Sequence, residues 1–290
     1  MEIMLIWTTK ITKMCRIKYP LIMAAFARYG RIEFAAAYSN AGGLGITTAM
    51  SYEIREFKNV LNKIQDLTSN PFGVNITLNA EGDKEVYLQY LEIAINAGVN
   101  IFTTSAYQAP YIGERIHEAG CLWFPKCPLM RHAISAQEAG ADAITLMGME
   151  SAGYKNPFQH TTLVNLTTGG KLIKVPLIAA GGIGDARGLL GALAMGADAV
   201  CLGTAILTTE ESPIIEPLKE ERMNIDIFTE EYHRRLYHNR LGGTSVPSPS
   251  MSFQNKIIPL RTMVENIMSE AEFIIKSWGF DKEEFSTLSL

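Results

Sequence analysis

The chain has 290 residues, 47% of them apolar and 19% charged, with a formal net charge of −4. That composition excludes a disordered chain and suffices for one α/β barrel or two smaller domains. The acidic balance, with Lys and Arg scattered along the chain, leaves no basic field to hold a nucleic-acid backbone.

From the N-terminus, the first apolar stretch, Ile3 to Trp7 behind the acid Glu2, is too short for a signal-peptide core or a membrane span. Eight short apolar runs follow, each expected as a strand: YPLIM (19–23), GLGIT (43–47), FGVNIT (72–77), NIFTTS (100–105), CLWFP (121–125), AITLMG (143–148), VPLIAA (175–180) and AVCLGT (199–204). Between them, segments such as 51–67, SYEIREFKNVLNKIQDL, and 84–98, KEVYLQYLEIAINAG, carry helical spacing. Several close on Ala-Gly or Met-Gly, the glycine that lets a helix turn sharply back into a sheet. Near-continuous apolar strands separated by helices predict a parallel sheet covered by helices, and eight such units within residues 1–210 predict a (β/α)8 TIM barrel. The competing open, doubly wound sheet would place its glycine-rich turn after the first strand; here the glycines follow the seventh and eighth. Residues 211–290 break the alternation and read as a helical C-terminal appendage on the barrel, with the loop GGTSVPSPSMSFQ (242–254) near the mouth. The apolar last helix could also pack on a second subunit, as in a homodimer.

Four cysteines, Cys15, Cys121, Cys127 and Cys201, form no CxxC pair and read as reduced thiols of a cytoplasmic protein. Neither HExxH nor paired Cys/His spacing occurs, so no metal site is expected.

The stretch AAGGIGDARG (179–188) concentrates glycine where a strand feeds a helix. Backbone N–H groups there form an anion site, and missing Cβ atoms let a phosphate approach the main chain. Gly181, Gly182 and Gly184 supply one side of this cup, and Gly203-Thr204 after the eighth strand the other. Tight turns alone are the alternative, but barrels commonly bind phosphate with both of these loops.

The blocks 176–207 (PLIAAGGIGDARGLLGALAMGADAVCLGTAIL), 39–51 (SNAGGLGITTAMS), 71–76 (PFGVNI) and 139–157 (AGADAITLMGMESAGYKNP) resemble, in order and spacing, the nitronate monooxygenase (2-nitropropane dioxygenase) family of FMN-dependent barrels. The resemblance covers roughly residues 17–210. It implies FMN with its phosphate on Gly181, Gly182, Gly203 and Thr204, its ring near Ala24, Ala25, Asn75 and Lys126, and Ala180 among its other contacts. A cation such as Lys126 suits a flavin, whose reduced form is anionic. The bland alternatives are a solvated strand end for Lys126 and backbone partners for the buried amide of Asn75.

One departure from the family pattern matters. Relatives that attack nitroalkanes, and the related flavin-dependent enoyl-acyl carrier protein reductases, carry histidine at the end of an E-x-x-G-H stretch; here it reads Glu150-Ser151-Ala152-Gly153-Tyr154. Abstracting a proton from a neutral nitroalkane at pH 7 wants a group titrating near neutrality, which an ordinary phenol with a pKa of about 10 is not. A nitronate is already the anion. The reading is therefore oxidation of alkyl nitronates by oxygen, with Tyr154 donating a hydrogen bond to a nitro oxygen and neutral nitroalkanes poor substrates. Glu150, at a strand's C-terminal end, and His160, six residues past Tyr154, are the other catalytic candidates, with a structural ion pair for Glu150 and a surface or capping role for His160 as the alternatives. The alternatives are a reductase drawing hydride from NAD(P)H, as in the enoyl-acyl carrier protein reductases, and a phosphate-holding scaffold without catalysis.

Overall fold

The computed structural model describes residues 7–107, 109–156, 158–237, 242–244 and 246–279, and for 154, 155 and 242–244 the backbone alone. Residues 3–6 of the N-terminal apolar stretch lie outside the described residues.

The strands are β1 (Leu21–Met23), β2 (Gly45–Thr48), β3 (Phe72–Thr77), β4 (Ile101–Ser105), β5 (Leu122–Cys127), β6 (Ile144–Met147), the short β7 (Gly153–Lys155), β8 (Leu177–Ala180) and β9 (Ala199–Leu202). All but β7 join one parallel eight-stranded sheet in the order β1-β9-β8-β6-β5-β4-β3-β2. The ring closes where Ile22 bridges Leu44 in parallel and the Met23 amide donates to the Leu44 carbonyl at 2.9 Å. The result is a TIM barrel. Every residue of β1, β2, β8 and β9 is buried, as parallel strands packed on both faces must be.

Helices α1 (Lys10–Cys15), α2 (Ile32–Asn40), α3 (Ile54–Leu67), α4 (Lys84–Asn96), α5 (Pro110–Glu118), α6 (Met130–Glu138), α7 (Thr162–Leu172) and α8 (Ala186–Ala194) precede the C-terminal segment. The α3 face turned to the sheet carries Phe57, Leu61 and Ile64, the helical spacing of its sequence. Gly98, Gly120, Gly140 and Gly196 follow α4, α5, α6 and α8 with positive φ, so the expected glycine stops are in place. Asp185 caps α8, its carboxylate accepting from the Gly188 amide at 2.8 Å.

After β9 come α9 (Glu216–Met223), α10 (Glu230–Tyr237), the strand β10 (Gly242–Thr244) and α11 (Leu260–Ser277). β10 pairs antiparallel with β7, Gly243 opposite Tyr154. α11 packs on α2 and α8, burying Leu260, Met263, Val264, Ile267, Met268 and Ala271 within the chain. Trp7 Nε1 donates to Glu272 at 3.1 Å, tying the N-terminal segment to the same helix. The four cysteines are buried and none is disulfide-bonded. No helix among the described residues is long and apolar enough to cross a membrane, and no cluster of metal-ligating side chains occurs among them.

Candidate active site

A cavity of ≈ 580 Å³ opens at the C-terminal ends of the strands, the end where barrels carry their chemistry. It collects Ala24 and Ala25 after β1, Lys126 from β5, Ala180 to Gly182 at the end of β8, and Gly203 and Thr204 after β9. Eight of the nine residues assigned to the cofactor from sequence therefore share one wall.

Local backbone explains why the glycine turn stands there. Gly181 and Gly182 have φ of +114° and +71°, a region that side chains with a Cβ rarely adopt. A Cβ on Gly181 would come within 2.9 Å of Thr162 Oγ1, and one on Gly182 within 3.2 Å of Glu150 Cβ. The amides of Gly182 and Ile183, both on the cavity wall, donate to no partner among the described residues. Thr204 Oγ1 accepts from the Ser248 amide at 3.2 Å, which leaves its hydroxyl proton available to a ligand. Ser248 and Ser250, 4% and 2% exposed, extend this polar wall from the Ser-Pro loop. Gly184 serves packing instead: a Cβ there would lie 2.9 Å from the Ala205 Cβ and 3.0 Å from the Ser250 carbonyl.

Lys126 is half-buried on the wall, and its charge pulls against the burial that raises the pKa of the nearby Cys201 thiol. Arg28, in the segment after β1, and Arg222, in the last turn of α9, also line the cavity. Nothing in the sequence pattern singled out these two arginines. Ser248 and Ser250 had a partial signal, the polar loop expected near the mouth.

Three of the sequence candidates lie elsewhere. The Glu150 carboxylate accepts from the Thr162 amide at 2.9 Å and from its hydroxyl at 2.9 Å, holding the start of α7. His160 is exposed, its carbonyl accepting from the Met149 amide at 2.8 Å, and it is absent from the wall. Asn75 is fully buried in β3; its amide nitrogen donates to Thr77 Oγ1 at 2.8 Å and its oxygen accepts from Thr103 Oγ1 at 2.9 Å. The Tyr154 side chain lies outside the described residues, but its neighbour Gly153 lines the cavity. Cys127 is wholly buried, and burial with the charge of Arg131 lowers the His132 pKa on α6, away from the wall.

A parallel barrel with a polar cup between its last two strand ends places that cup where barrels of this fold commonly bind phosphate. The chain matches the nitronate monooxygenase family model over residues 8–229 and belongs to that family. It is 31% identical over 214 residues to a hydroxy-methyl-oxo-octahydro-indene-carboxyl-CoA dehydrogenase of Mycobacterium tuberculosis, a match covering 73% of this chain and 59% of that protein. The chain thus spans about three fifths of that relative's length. Identity to a probable nitronate monooxygenase of Staphylococcus aureus is 28% over 255 residues, 74% of this chain and 72% of that protein. Among solved structures, a point mutant of FabK from Thermotoga maritima superposes with a TM-score of 0.82 at 27% identity, over 93% of this chain and 98% of that one.

Proposed function

We propose that the chain is an FMN-dependent oxidoreductase that oxidises alkyl nitronates with oxygen. The observation that carries this reading is the cup itself: two unpartnered wall amides, at Gly182 and Ile183, and the Thr204 hydroxyl converge on one cavity that also holds Lys126. These residues fit a phosphate-bearing flavin, since Gly181, Gly182 and Gly203 line the cavity without side chains of their own and ligand cavities of roughly 300–1,000 Å³ suit molecules of this class. FMN, when bound, supplies the two-electron acceptor that is reoxidised by oxygen.

The chain's own residues then have separable tasks. Gly182, Ile183 and Thr204 hold the phosphate, Ala24 and Ala25 leave flat space for the ring, and Lys126 stabilises negative charge at the mouth. Tyr154 donates a hydrogen bond to a nitro oxygen of the substrate. The arrangement favours a substrate that arrives as an anion, because no Asp, Glu or His lines the cavity among the described residues. Glu150, the nearest carboxylate in sequence, is occupied by Thr162. Among the described residues, proton abstraction from neutral nitroalkanes therefore lacks a base, and ethyl nitronate is expected to turn over at least about a hundredfold faster than nitroethane at pH 7. Comparable rates would contradict this reading. A second reading, reduction by NAD(P)H in the manner of an enoyl-acyl carrier protein reductase, is favoured by the whole-length superposition on FabK; flavin bleaching by a reduced nicotinamide and not by nitronate would select it.

A further inference from the structure

The cavity wall includes three cations, Arg28, Lys126 and Arg222, and no carboxylate among the described residues. In a chain with 30 Asp and Glu against 26 Lys and Arg, this is a local reversal of sign. Nor are the two arginines spent on the protein. Arg115 is paired with Glu92, Arg187 with Glu270 and Arg234 with Glu230. By contrast, the guanidinium groups of Arg28 and Arg222 have no ion-pair or hydrogen-bond partner among the described residues. Arg222 also suits the negative end of α9, but its place on the cavity wall is more than that role requires.

The phosphate cup does not need them, because it is built of neutral donors: the amides of Gly182 and Ile183 and the Thr204 hydroxyl. Lys126 stands at the end of β5, whereas Arg28 follows β1 and is exposed, and Arg222 comes from α9 outside the barrel. We propose that Arg28 and Arg222 form a second anion site at the mouth, so that the substrate carries a carboxylate or phosphate group remote from its reacting atom. A planar guanidinium can take either group through two parallel hydrogen bonds. The positive mouth also draws such a substrate in, an attraction that falls with ionic strength. This inference rests on the proposed function, in which the cup is filled by cofactor phosphate.

The test uses the FMN-saturated full chain, with Arg28→Gln, Arg222→Gln and the double variant. Flavin content is read from the visible spectrum, then binding of pyrophosphate and of glutarate is measured by calorimetry at low salt. The expected result is one anion bound per chain, weakened roughly tenfold by each substitution with flavin content unchanged; pyrophosphate or glutarate as the tighter probe separates a phosphate from a carboxylate. No binding of either probe, or binding unchanged in the double variant, overturns the site. Loss of flavin in the variants also overturns it, because the arginines would then serve the cofactor phosphate. A wild-type chain that takes up no FMN removes the proposed function and this inference with it, and shows in the spectrum before any anion is added.

Discussion

At the scale of single residues, the glycine turn makes the sharpest demand. Gly181→Ala places a side chain at φ +114° and against Thr162 Oγ1, so stability is expected to fall by about 1–3 kcal/mol, with phosphate affinity falling too. Chemical denaturation with and without FMN checks both, and an unchanged midpoint contradicts the turn's conformation. Cys15 makes a second prediction. Burial pushes its thiol from 9.0 up to about 12. Between these values the unfolded chain loses the proton that the folded chain keeps. The stability this thiol contributes is complete below pH 9.0 and is lost as pH rises toward 12, at up to about 1.4 kcal/mol per unit. In urea titrations, Cys15→Ala should flatten the fall in stability between pH 9 and pH 10, and an unchanged slope would contradict it. The glycine turn was legible in the sequence because its signal is local, four glycines in eight positions after an apolar run. Arg28 and Arg222 were not: Arg28 stands in the loop after β1 without a motif to mark it, and Arg222 reaches the cavity from α9, a segment distant in the chain.

At the scale of elements, the loop after β6 decides which residues face the cavity. Glu150 reads from sequence as a catalytic acid at a strand end, yet its carboxylate caps the first turn of α7 through Thr162. Negative charge there is favourable with the helix dipole. Glu150→Gln should therefore cost about 1 kcal/mol in stability and leave ethyl nitronate turnover within about threefold. Collapse of turnover at unchanged stability would instead make Glu150 catalytic. Strand β3 matches its expected run at both ends, 72–77, because Phe and Val alternate with smaller residues between clear breaks. The pairing of β7 with β10 had no sequence signal, since three-residue strands rich in glycine meet only after the C-terminal segment has folded back.

For the whole molecule, the eight-stranded ring was legible from the repeat of apolar runs and helices, and so was a helical appendage lying on the barrel, but not the helices that the last helix packs on. α11 closes the outer layer against α8 and against α2, the latter far away in the chain, contacts that no periodicity encodes. Its buried face contributes on the order of 10 kcal/mol, comparable to the whole stability of a domain. A chain ending at residue 258 is expected to be insoluble or to lose cooperative unfolding; a soluble, cooperative product would show that the barrel stands without α11.

Under the proposed function this barrel passes electrons from a nitronate through a bound flavin. The most direct measurement is the visible spectrum of the purified chain before and after anaerobic addition of ethyl nitronate. The expected result is a flavin band that bleaches with nitronate and returns with oxygen. No band after soaking with FMN, or a band that persists until a reduced nicotinamide is added, would contradict it.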